Sequence, residues 1–294
     1  MTLAIELDPF HLFLWDPIAF EGTPFELNRV SLLMIVASLL CITFFLLAAR
    51  RGPLVPRGIR AIGESAYGFV RNQIAVDVIG PEGVKYANYL ASLFFFIFFM
   101  NLLEIVPGIN FPVTSRMAIP AALSLLTYII FNFVGIKKQK LGYFKDTLFP
   151  PGVPKGIYVI LTPIELFSVF IIRPLTLAIR LFANMMAGHV LLTIFFLFTH
   201  EFLVTNIFVD FKLFTLPLGI VTFIVACGLI VFELLVISIQ AYIFTLLTAF
   251  YIAESIHGHG DHDEHEVGGA HADPTKPTKH EPVTETEGLQ TTAA

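Results

Sequence analysis

The sequence LFTLPLGIVTFIVACGLIVFELLVISIQAYIFTLLTAFYIAE, residues 213–254, is apolar almost throughout, with Glu233 as its one internal charge. A second apolar stretch of similar length runs from about Tyr158 to Thr199. As α-helix, each would be about 63 Å long, roughly twice the ~30 Å of the bilayer core. Each could form either a hairpin of two spans or one long helix at a steep tilt. We favour the tilted helix, because neither stretch contains a convincing turn near its middle.

Three further apolar segments are each long enough to approach a full crossing of a bilayer. They run from Val30 to Ala49, from Tyr89 to Val106 and from Met117 to Ile136. Between the first two, residues 60–84 mix charged and apolar side chains, which is typical of an amphipathic helix on the membrane surface, with a plain loop as the alternative. The sequence therefore predicts an all-α integral membrane protein with several transmembrane helices plus two long, steeply tilted membrane helices that form a hairpin.

The composition agrees with membrane insertion. Of the 294 residues, 56% are hydrophobic and 14% are charged, whereas a soluble domain carries about 25% charged residues. The sequence has no GxxxxGK[ST] loop and no basic patch, so we predict no bound nucleotide and no nucleic-acid partner. Cys41 and Cys227 lie inside apolar runs, as small buried hydrophobic residues do, so we expect neither a metal site nor another cofactor.

By composition the chain divides into three regions. Residues 1–29 form an N-terminal segment without the features of a cleavable signal, residues 30–256 form the membrane domain, and residues 257–294 form an acidic tail. The tail holds six of the nine histidines and almost no apolar side chains, so it is predicted to be disordered. A weak divalent-metal site is one alternative for it, and we favour a solvated tail without a specific ligand.

Lysine and arginine residues set the predicted orientation, because basic loops face the cytoplasm. Six of them lie between the first and second spans and five follow the third span, whereas the opposite side carries Arg29, Arg116 and Lys212. The N-terminal segment is therefore predicted to be extracytoplasmic and the tail cytoplasmic.

The first long stretch contains polar side chains that are expensive in a bilayer, about 2.5–3.5 kcal/mol for a central arginine. Arg180 has mostly apolar sequence on both sides and lies too deep to reach the surface easily. Asn184 follows one turn later on nearly the same face, and Arg173 precedes Arg180 by two turns. Glu165 lies further back, somewhat off this stripe. Together these residues predict a polar seam on an apolar helix.

The final stretch carries a seam of its own. Glu233 and Gln240 share a face about 10 Å apart. We pair Glu233 with His189, because an imidazole takes up and releases protons near neutral pH. Such a set of proton-carrying groups on two neighbouring helices is typical of a proton path. The structural alternative is an ion pair between Arg180 and Glu233 that only holds the helices together.

Two motifs carry a family resemblance: RPLTLAIRLFANMMAGH, from Arg173 to His189, and ELLVISIQAYIFTLLTAFYIAES, from Glu233 to Ser255. Both closely resemble signatures of subunit a of F-type ATP synthases, and NLLEIVPG, from Asn101 to Gly108, resembles a third block. The resemblance implies a proton-translocating stator subunit that is not catalytic on its own. Its implied partners are the c-ring, the peripheral-stalk b subunits and the rest of the ATP synthase complex.

The resemblance also implies the role of the central residues. Arg180 would face the membrane carboxylate of the rotating c-ring and displace its proton. Asn184 and Gln240 would flank this arginine.

The proton path on either side of Arg180 is implied in the same way. His189 and Glu233 would line a half-channel from the outer side, with the acid and the histidine exchanged relative to some family members. Glu165 would line a half-channel from the cytoplasm, and Arg173 belongs to the same path. Glu104 replaces an expected apolar residue, and it either widens the outer entrance or sits at the interface beside Pro107.

Other classes of membrane protein fit less well. A secondary transporter would show inverted repeats, which the two halves of the sequence lack. A haem-binding redox subunit often needs paired histidines within the spans. A pure scaffold would not need an arginine at depth. We predict protons over sodium, because no dense cluster of oxygen ligands is present, and a bacterial plasma membrane with the mitochondrial inner membrane as the alternative.

Overall fold

Eight α-helices with described bounds build most of the described part of the chain, which comprises residues 28–49, 58–106, 109–140, 142–143, 156–209 and 213–257 of the computed structural model. No β-strand occurs in these ranges, and the all-α prediction is confirmed. The N-terminal segment, residues 50–57 and 144–155 of the basic loops, and the His-rich tail lie outside the described residues. The expectations for those regions therefore stay predictions.

Short turns of other helical types connect the α-helices. The α-helices are α1 (Arg29–Ala48), α2 (Ile59–Phe69), α3 (Asp77–Ile79), α4 (Ala87–Leu102), α5 (Ala118–Gln139), α6 (Tyr158–Phe167), α7 (Arg173–Thr199) and α8 (Leu216–His257). The π-helical turns are Val70–Val76, Ser168–Ile172 and His200–Val209, and the 3₁₀ turns are Pro81–Lys85, Val113–Ser115 and Leu213–Thr215.

Both long apolar stretches are single helical segments. α8 runs for 42 residues without interruption, and a helical segment of 48 residues extends from Tyr158 to Thr205. The interpretation as long tilted helices is thereby confirmed, and the hairpin of two spans within each stretch is wrong. A helix of about 63 Å cannot stand upright within a core of about 30 Å. Within the described residues, four helical segments are long and apolar enough to cross a membrane.

Pro174 accounts for the π-helical turn between α6 and α7. Pro163 lies inside α6, and Pro174 lies in the first turn of α7. A proline has no N–H donor, and its ring crowds the carbonyl group four residues earlier, so the helix must widen or bend. The carbonyl that Pro174 crowds belongs to Phe170, within the wider turn Ser168–Ile172. The turn gives that carbonyl the room it needs.

α4 ends sooner than the sequence predicts. The predicted span reached Val106, whereas the helix stops four residues earlier. Pro107 disfavours helical conformation in the residue before it, which contributes to this early end. The 16 residues of α4 give about 24 Å of helix, less than a full crossing. The connection that follows folds into the protein, because Glu104 and Phe111 are completely or almost completely buried.

Residues 60–84, predicted as an amphipathic helix with a loop as the alternative, are helical as far as Ile79, and after Gly80 a 3₁₀ turn follows over Pro81–Lys85. α2 leaves Ile59 and Ile62 exposed, while Val70 and Ile74 in the following π-helical turn are fully buried against α4 and α8. The segment therefore packs one part of its apolar surface on the protein and presents another part outward.

The core lies where α7 and α8 pack against each other and against α4 and α5. On α7, Leu177, Leu181 and Met185 recur at helical spacing and are buried, which marks one face of the helix. Ile237 and Phe244 of α8 meet this face in the same apolar cluster. This packing places the polar residues of the two helices along a common interface.

Gly83 provides a test of the packing beside α3. A Cβ added at Gly83 would lie 1.9 Å from the backbone carbonyl oxygen of Ala75, whereas one added at Gly68 of α2 would meet nothing within 4 Å. We expect Gly83→Ala to lower the free energy of unfolding by about 1–3 kcal/mol, because a backbone carbonyl cannot move aside freely. Gly68→Ala should be neutral or slightly stabilising, because alanine favours helix.

Thermal unfolding of the two purified variants in detergent measures this difference. Equal melting temperatures for Gly83→Ala and Gly68→Ala would contradict the described contact with Ala75.

Candidate functional site

The predicted site residues lie along the interface of the antiparallel helices α7 and α8. Two contacts fix these helices against each other: Glu233 packs on Gly188, and Arg173 binds Glu254. The two α7 residues of these contacts are about 22 Å apart along the helix. Between the two contacts lie Arg180, Asn184 and Gln240. The site therefore consists of a polar contact at each end of the α7–α8 interface and a middle part with Arg180, Asn184 and Gln240.

One end holds three buried ionisable side chains, Glu104, His189 and Glu233, which we call the acid–histidine cluster. Their exposed fractions are 0%, 3% and 4%. Nδ1 of His189 lies 3.7 Å from Oε1 of Glu104, and the two glutamates are close enough to interact electrostatically. Among the described residues, neither oxygen of Glu104 and not Oε1 of Glu233 accepts a hydrogen bond. Since an unsatisfied buried carboxylate is costly, the cluster is chemically suited to holding a proton.

Gly188 gives Glu233 its place in this cluster. A Cβ at this position would lie 2.4 Å from Oε1 and 2.6 Å from Oε2 of Glu233. Any side chain larger than hydrogen would therefore displace the carboxylate. α7 is regular α-helix through Gly188, so the glycine supplies space for a neighbour.

Glu104 reaches the cluster from the turn after α4. Glu104 is completely buried, and its carboxylate faces His189. Both alternatives for its role, a wider outer entrance or a position at the membrane interface, stay predictions. Nearby, the hydroxyl of Thr114 donates a hydrogen bond to Oδ1 of Asn101, and both residues are buried. Nδ2 of Asn101 has no hydrogen-bond acceptor in the described part of the chain. Buried polar groups thus continue from the cluster into the connection between α4 and α5.

In the middle of the interface, Arg180 differs from every other residue of the predicted site in being exposed. Within the described ranges it makes no hydrogen bond and no ion pair. The alternative in which Arg180 pairs with Glu233 is therefore not what the structure contains. The positions around Arg180 on the same helical face, Thr176, Ala183 and Ala187, are also exposed.

Asn184 and Gln240 lie deeper than Arg180. Asn184 is half-buried, and Gln240 is 4% exposed. Among the described residues, Nε2 of Gln240 has no hydrogen-bond acceptor. The amide of Gln240 thus remains able to donate hydrogen bonds inside the α7–α8 interface.

The other end of the site is an ion pair between Arg173 and Glu254. The two guanidinium nitrogens donate to the two carboxylate oxygens at 2.5 and 2.7 Å, and the side chains are 18% and 13% exposed. The guanidinium also lies 5.2 Å from the ring centre of Tyr251. Two parallel charge-assisted hydrogen bonds make a strong and directional pair. The polar seam predicted for the first long stretch is therefore divided. The side chain of Arg173 turns towards α8, whereas that of Arg180 is exposed.

Polar groups surround this pair on the same end of the interface. Arg173 and Glu254 line a small polar recess together with Tyr143 and Ser255. Glu165 is half-buried and close enough to Arg173 for electrostatic attraction. The residue predicted for an inner path thus lies beside the ion pair.

Two contacts of the site were missed by sequence reasoning. Glu254 closes the final apolar stretch, and the sequence pattern assigns it no role. An acidic side chain in the last turn of a helix opposes the helix dipole, and this was a signal that a cation lies nearby. The contact of Glu104 with His189 depends on how the α4–α5 connection folds back, and no local sequence signal reports it.

No group of three or more histidine, cysteine, aspartate or glutamate side chains is arranged to hold a metal ion in the ranges that the structure describes. The chemistry that the site can support there is proton transfer between carboxyl, imidazole and amide groups, together with ion pairing to arginine.

A family model and individual known proteins give the same result when they are compared with this chain. The family described as "ATP synthase A chain" matches residues 31–253. A protein of Frankia alni named "ATP synthase subunit a" is 43% identical over 251 residues, which cover 85% of this chain and 84% of the relative. Proteins with the same name from Rhodococcus erythropolis and Hyphomonas neptunium are 40% and 38% identical, over 88% and 86% of this chain and 93% and 98% of the relatives.

The Arg173–Glu254 pair is expected to stabilise the α7–α8 interface. Removing one partner leaves a buried charge without its counterion, so Glu254→Gln should lower the free energy of unfolding by about 3–5 kcal/mol. The double variant Arg173→Met with Glu254→Leu should lose less, because it removes both charges together.

Denaturant unfolding of the purified variants in detergent measures both changes. Glu64→Gln is the matched control, since Glu64 pairs with Arg60 at an exposed position, where an ion pair contributes only about 0–1 kcal/mol. A double variant less stable than Glu254→Gln would show that the pair does not act as described.

Proposed function

This chain belongs to the ATP synthase A chain family, and on that basis we propose that it is the proton-translocating stator subunit of an F-type ATP synthase. A subunit of this family is a multi-pass membrane component of the complex and is not itself the catalytic subunit. We propose further that two half-channels meet the c-ring at Arg180. ATP chemistry then takes place on partner subunits.

The single observation that carries the finer proposal is the exposure of Arg180 without a counterion among the described residues. An arginine facing hydrocarbon at depth is costly, by a few kcal/mol or more. A carboxylate from a partner would compensate this cost. The neighbouring exposed positions Thr176, Ala183 and Ala187 are small, and small residues allow another membrane helix to approach closely. The membrane carboxylate of a c-ring subunit is the partner that we propose.

The acid–histidine cluster is the proposed route of proton entry. Glu104, His189 and Glu233 are buried together and can pass a proton from one to the next. The polar groups of Asn101 and Thr114 extend this route towards the α4–α5 connection. A proton arriving there would be delivered to the ring carboxylate beside Arg180, with the amides of Asn184 and Gln240 alongside.

The opposite end of the interface is the proposed route of exit. Glu165 lies beside Arg173 on that end, and the recess lined by Tyr143, Arg173, Glu254 and Ser255 supplies further polar groups. In the Arg173–Glu254 pair the positive charge of Arg173 is already neutralised. Arg180 therefore acts in the proposal as the charge that favours the ionised ring carboxylate.

Rotation follows from the cost of moving charge through lipid. A protonated ring carboxyl is neutral and can enter the bilayer, whereas an ionised one is held back by its desolvation cost. Arg180 holds the ionised form at the interface, and its fixed positive charge also opposes a direct proton leak between the two half-channels. Each proton that crosses supplies about 2.3 kcal/mol per 100 mV of membrane potential.

The membrane setting completes the proposal. The basic loops predict a cytoplasmic C-terminus and an N-terminus outside, and the compared relatives are from bacteria. We therefore place the protein in a bacterial plasma membrane, with the acid–histidine cluster towards the outside. The peripheral-stalk b subunits are the proposed partners that keep this subunit from turning with the ring.

Replacement of Arg180 tests the central step. In inverted membrane vesicles that contain the whole complex, we expect Arg180→Ala to reduce ATP-driven proton pumping to the background level. The soluble ATPase activity and the subunit content should stay at the wild-type level, because Arg180 forms no ion pair with any described residue. Arg60→Ala, at a half-buried arginine of α2 that pairs with Glu64, is the matched control and should pump normally. Near-normal pumping by Arg180→Ala would falsify the proposed role.

Replacement of Gly188 tests the entry route separately. Gly188→Ala displaces the Glu233 carboxylate, whose oxygen lies 2.4 Å from the added Cβ. Because misplacement of a reacting group by about 1 Å can cost roughly 10²-fold, we expect coupled proton flux to fall by about 10- to 100-fold. Gly228→Ala on α8 is the control, since its Cβ would meet nothing within 4 Å. Equal flux in the two variants would remove Glu233 from the entry route.

A further inference from the structure

The connection between α4 and α5 is tied to the start of α1 by Arg29. Nη2 of Arg29 donates a hydrogen bond to the backbone carbonyl oxygen of Ile109 at 2.7 Å. The same guanidinium lies 5.9 Å from the ring centre of Phe111. Phe111 is 1% exposed, and its ring centre lies 5.8 Å from that of His189 at an interplanar angle of 73°. An unbroken line of contacts thus runs from Arg29 to the imidazole of the acid–histidine cluster.

The position of Arg29 in α1 is unfavourable by itself. It is the first residue of the helix, where the positive end of the helix dipole repels a cation. The carbonyl of Ile109 and the ring face of Phe111 supply the compensating interactions, because both attract a guanidinium group. The arginine is therefore explained by what it meets on the connection and not by α1.

The backbone of the connection is shaped for these contacts. Asn110, between Ile109 and Phe111, has a φ of +42°, in the left-handed region that asparagine tolerates better than most residues. The chain turns sharply there, and the carbonyl of Ile109 contacts Arg29 while the ring of Phe111 contacts His189. The turn Val113–Ser115 that follows is buried and packs against α1, α4 and α7.

We propose that Arg29 is a positioning residue of the proton entrance: it holds Phe111 as a cover over His189 and places a positive charge at the mouth of the acid–histidine cluster. This inference rests on the proposed function of the cluster. Among the described residues, charged groups near His189 come from three elements, Arg29 from α1, Glu104 after α4 and Glu233 from α8. The charge of Arg29 lies close enough to act on the imidazole.

The two parts of this role, holding Phe111 over His189 and supplying a positive charge, have different experimental signatures. A cover acts through geometry, so its loss would let water reach the backbone of the connection. The positive charge of Arg29, at the entrance of the acid–histidine cluster, acts on proton uptake from one side of the membrane only. Arg29→Gln removes the charge and keeps a donor for Ile109, Arg29→Lys keeps the charge, and Arg29→Ala removes both.

The charge is tested with the whole ATP synthase in proteoliposomes, where the pH on the two sides is set separately. For Arg29→Gln we expect the outer pH of half-maximal ATP synthesis to shift by about half a unit or more, since a nearby charge changes proton affinity. The inner pH of half-maximal rate should not change, and Arg29→Lys should keep both wild-type values. Arg60→Gln, at a half-buried arginine of α2 that pairs with Glu64, is the matched control.

The cover is tested by amide hydrogen exchange on the same purified complex. We expect Arg29→Ala to speed exchange in the segment from Ile109 to Ser115 by about tenfold or more, as for a segment whose local stability is lost, with α5 unchanged. Hydrogen exchange does not require ATP synthesis. It therefore tests whether Arg29 holds Phe111 over His189 even in a variant that synthesises no ATP.

The outcomes separate this inference from the proposed function. Unchanged outer pH dependence in Arg29→Gln, an equal shift on both sides, an equal shift in Arg29→Lys, or unchanged exchange in Arg29→Ala would each overturn the positioning role. Arg180→Ala is measured in the same proteoliposomes. Normal coupling in that variant would overturn the proposed function itself, whatever Arg29 does.

Discussion

The packing of Glu233 on Gly188 is the constraint on which the rest of the site depends. It brings α8 close to α7 at one end of their interface, because glycine leaves room for the carboxylate between the two backbones. Arg173 and Glu254 hold the same two helices together at the other end. With both ends fixed, the residues between them have fixed depths and fixed neighbours. The middle of the interface can then present Arg180 outward while Gln240 stays buried.

The site sorts its charges by whether the chain itself can neutralise them. Arg173 has Glu254 as its counterion, and Glu104 has His189 within 3.7 Å. Arg180 has no counterion in the described ranges and faces outward. Buried charges need partners and exposed ones at membrane depth need them as well. The chain thus neutralises Arg173 itself and leaves the requirement of Arg180 to a partner, which is the physical basis of the stator proposal.

The early end of α4 has a consequence for the same site. Because the helix stops before crossing a full bilayer, the chain after it folds back between α1 and α7. This return brings Glu104 and Thr114 into buried positions, where Thr114 donates a hydrogen bond to Asn101 of α4. Irregular backbone at membrane depth is tolerated where it is covered by protein or lines a cavity. The connection therefore packs between α1 and α7 and also supplies Glu104, the third ionisable group of the acid–histidine cluster.

The sequence by itself determined the class of protein, the presence of two long apolar stretches and the family. These follow from local quantities: apolar length against bilayer thickness, and motifs such as the one from Arg173 to His189. It also named Arg180, His189 and Glu233, because an ionisable residue in an apolar helix is conspicuous.

Only the tertiary structure decided which of these groups meet. It placed Glu104 beside His189, turned Arg173 to Glu254, and left Arg180 exposed. The physical reason is that helical periodicity fixes the face of a residue on its own helix, whereas its partner depends on the register between helices and on the fold of the connections. Neither of these is encoded in any one segment.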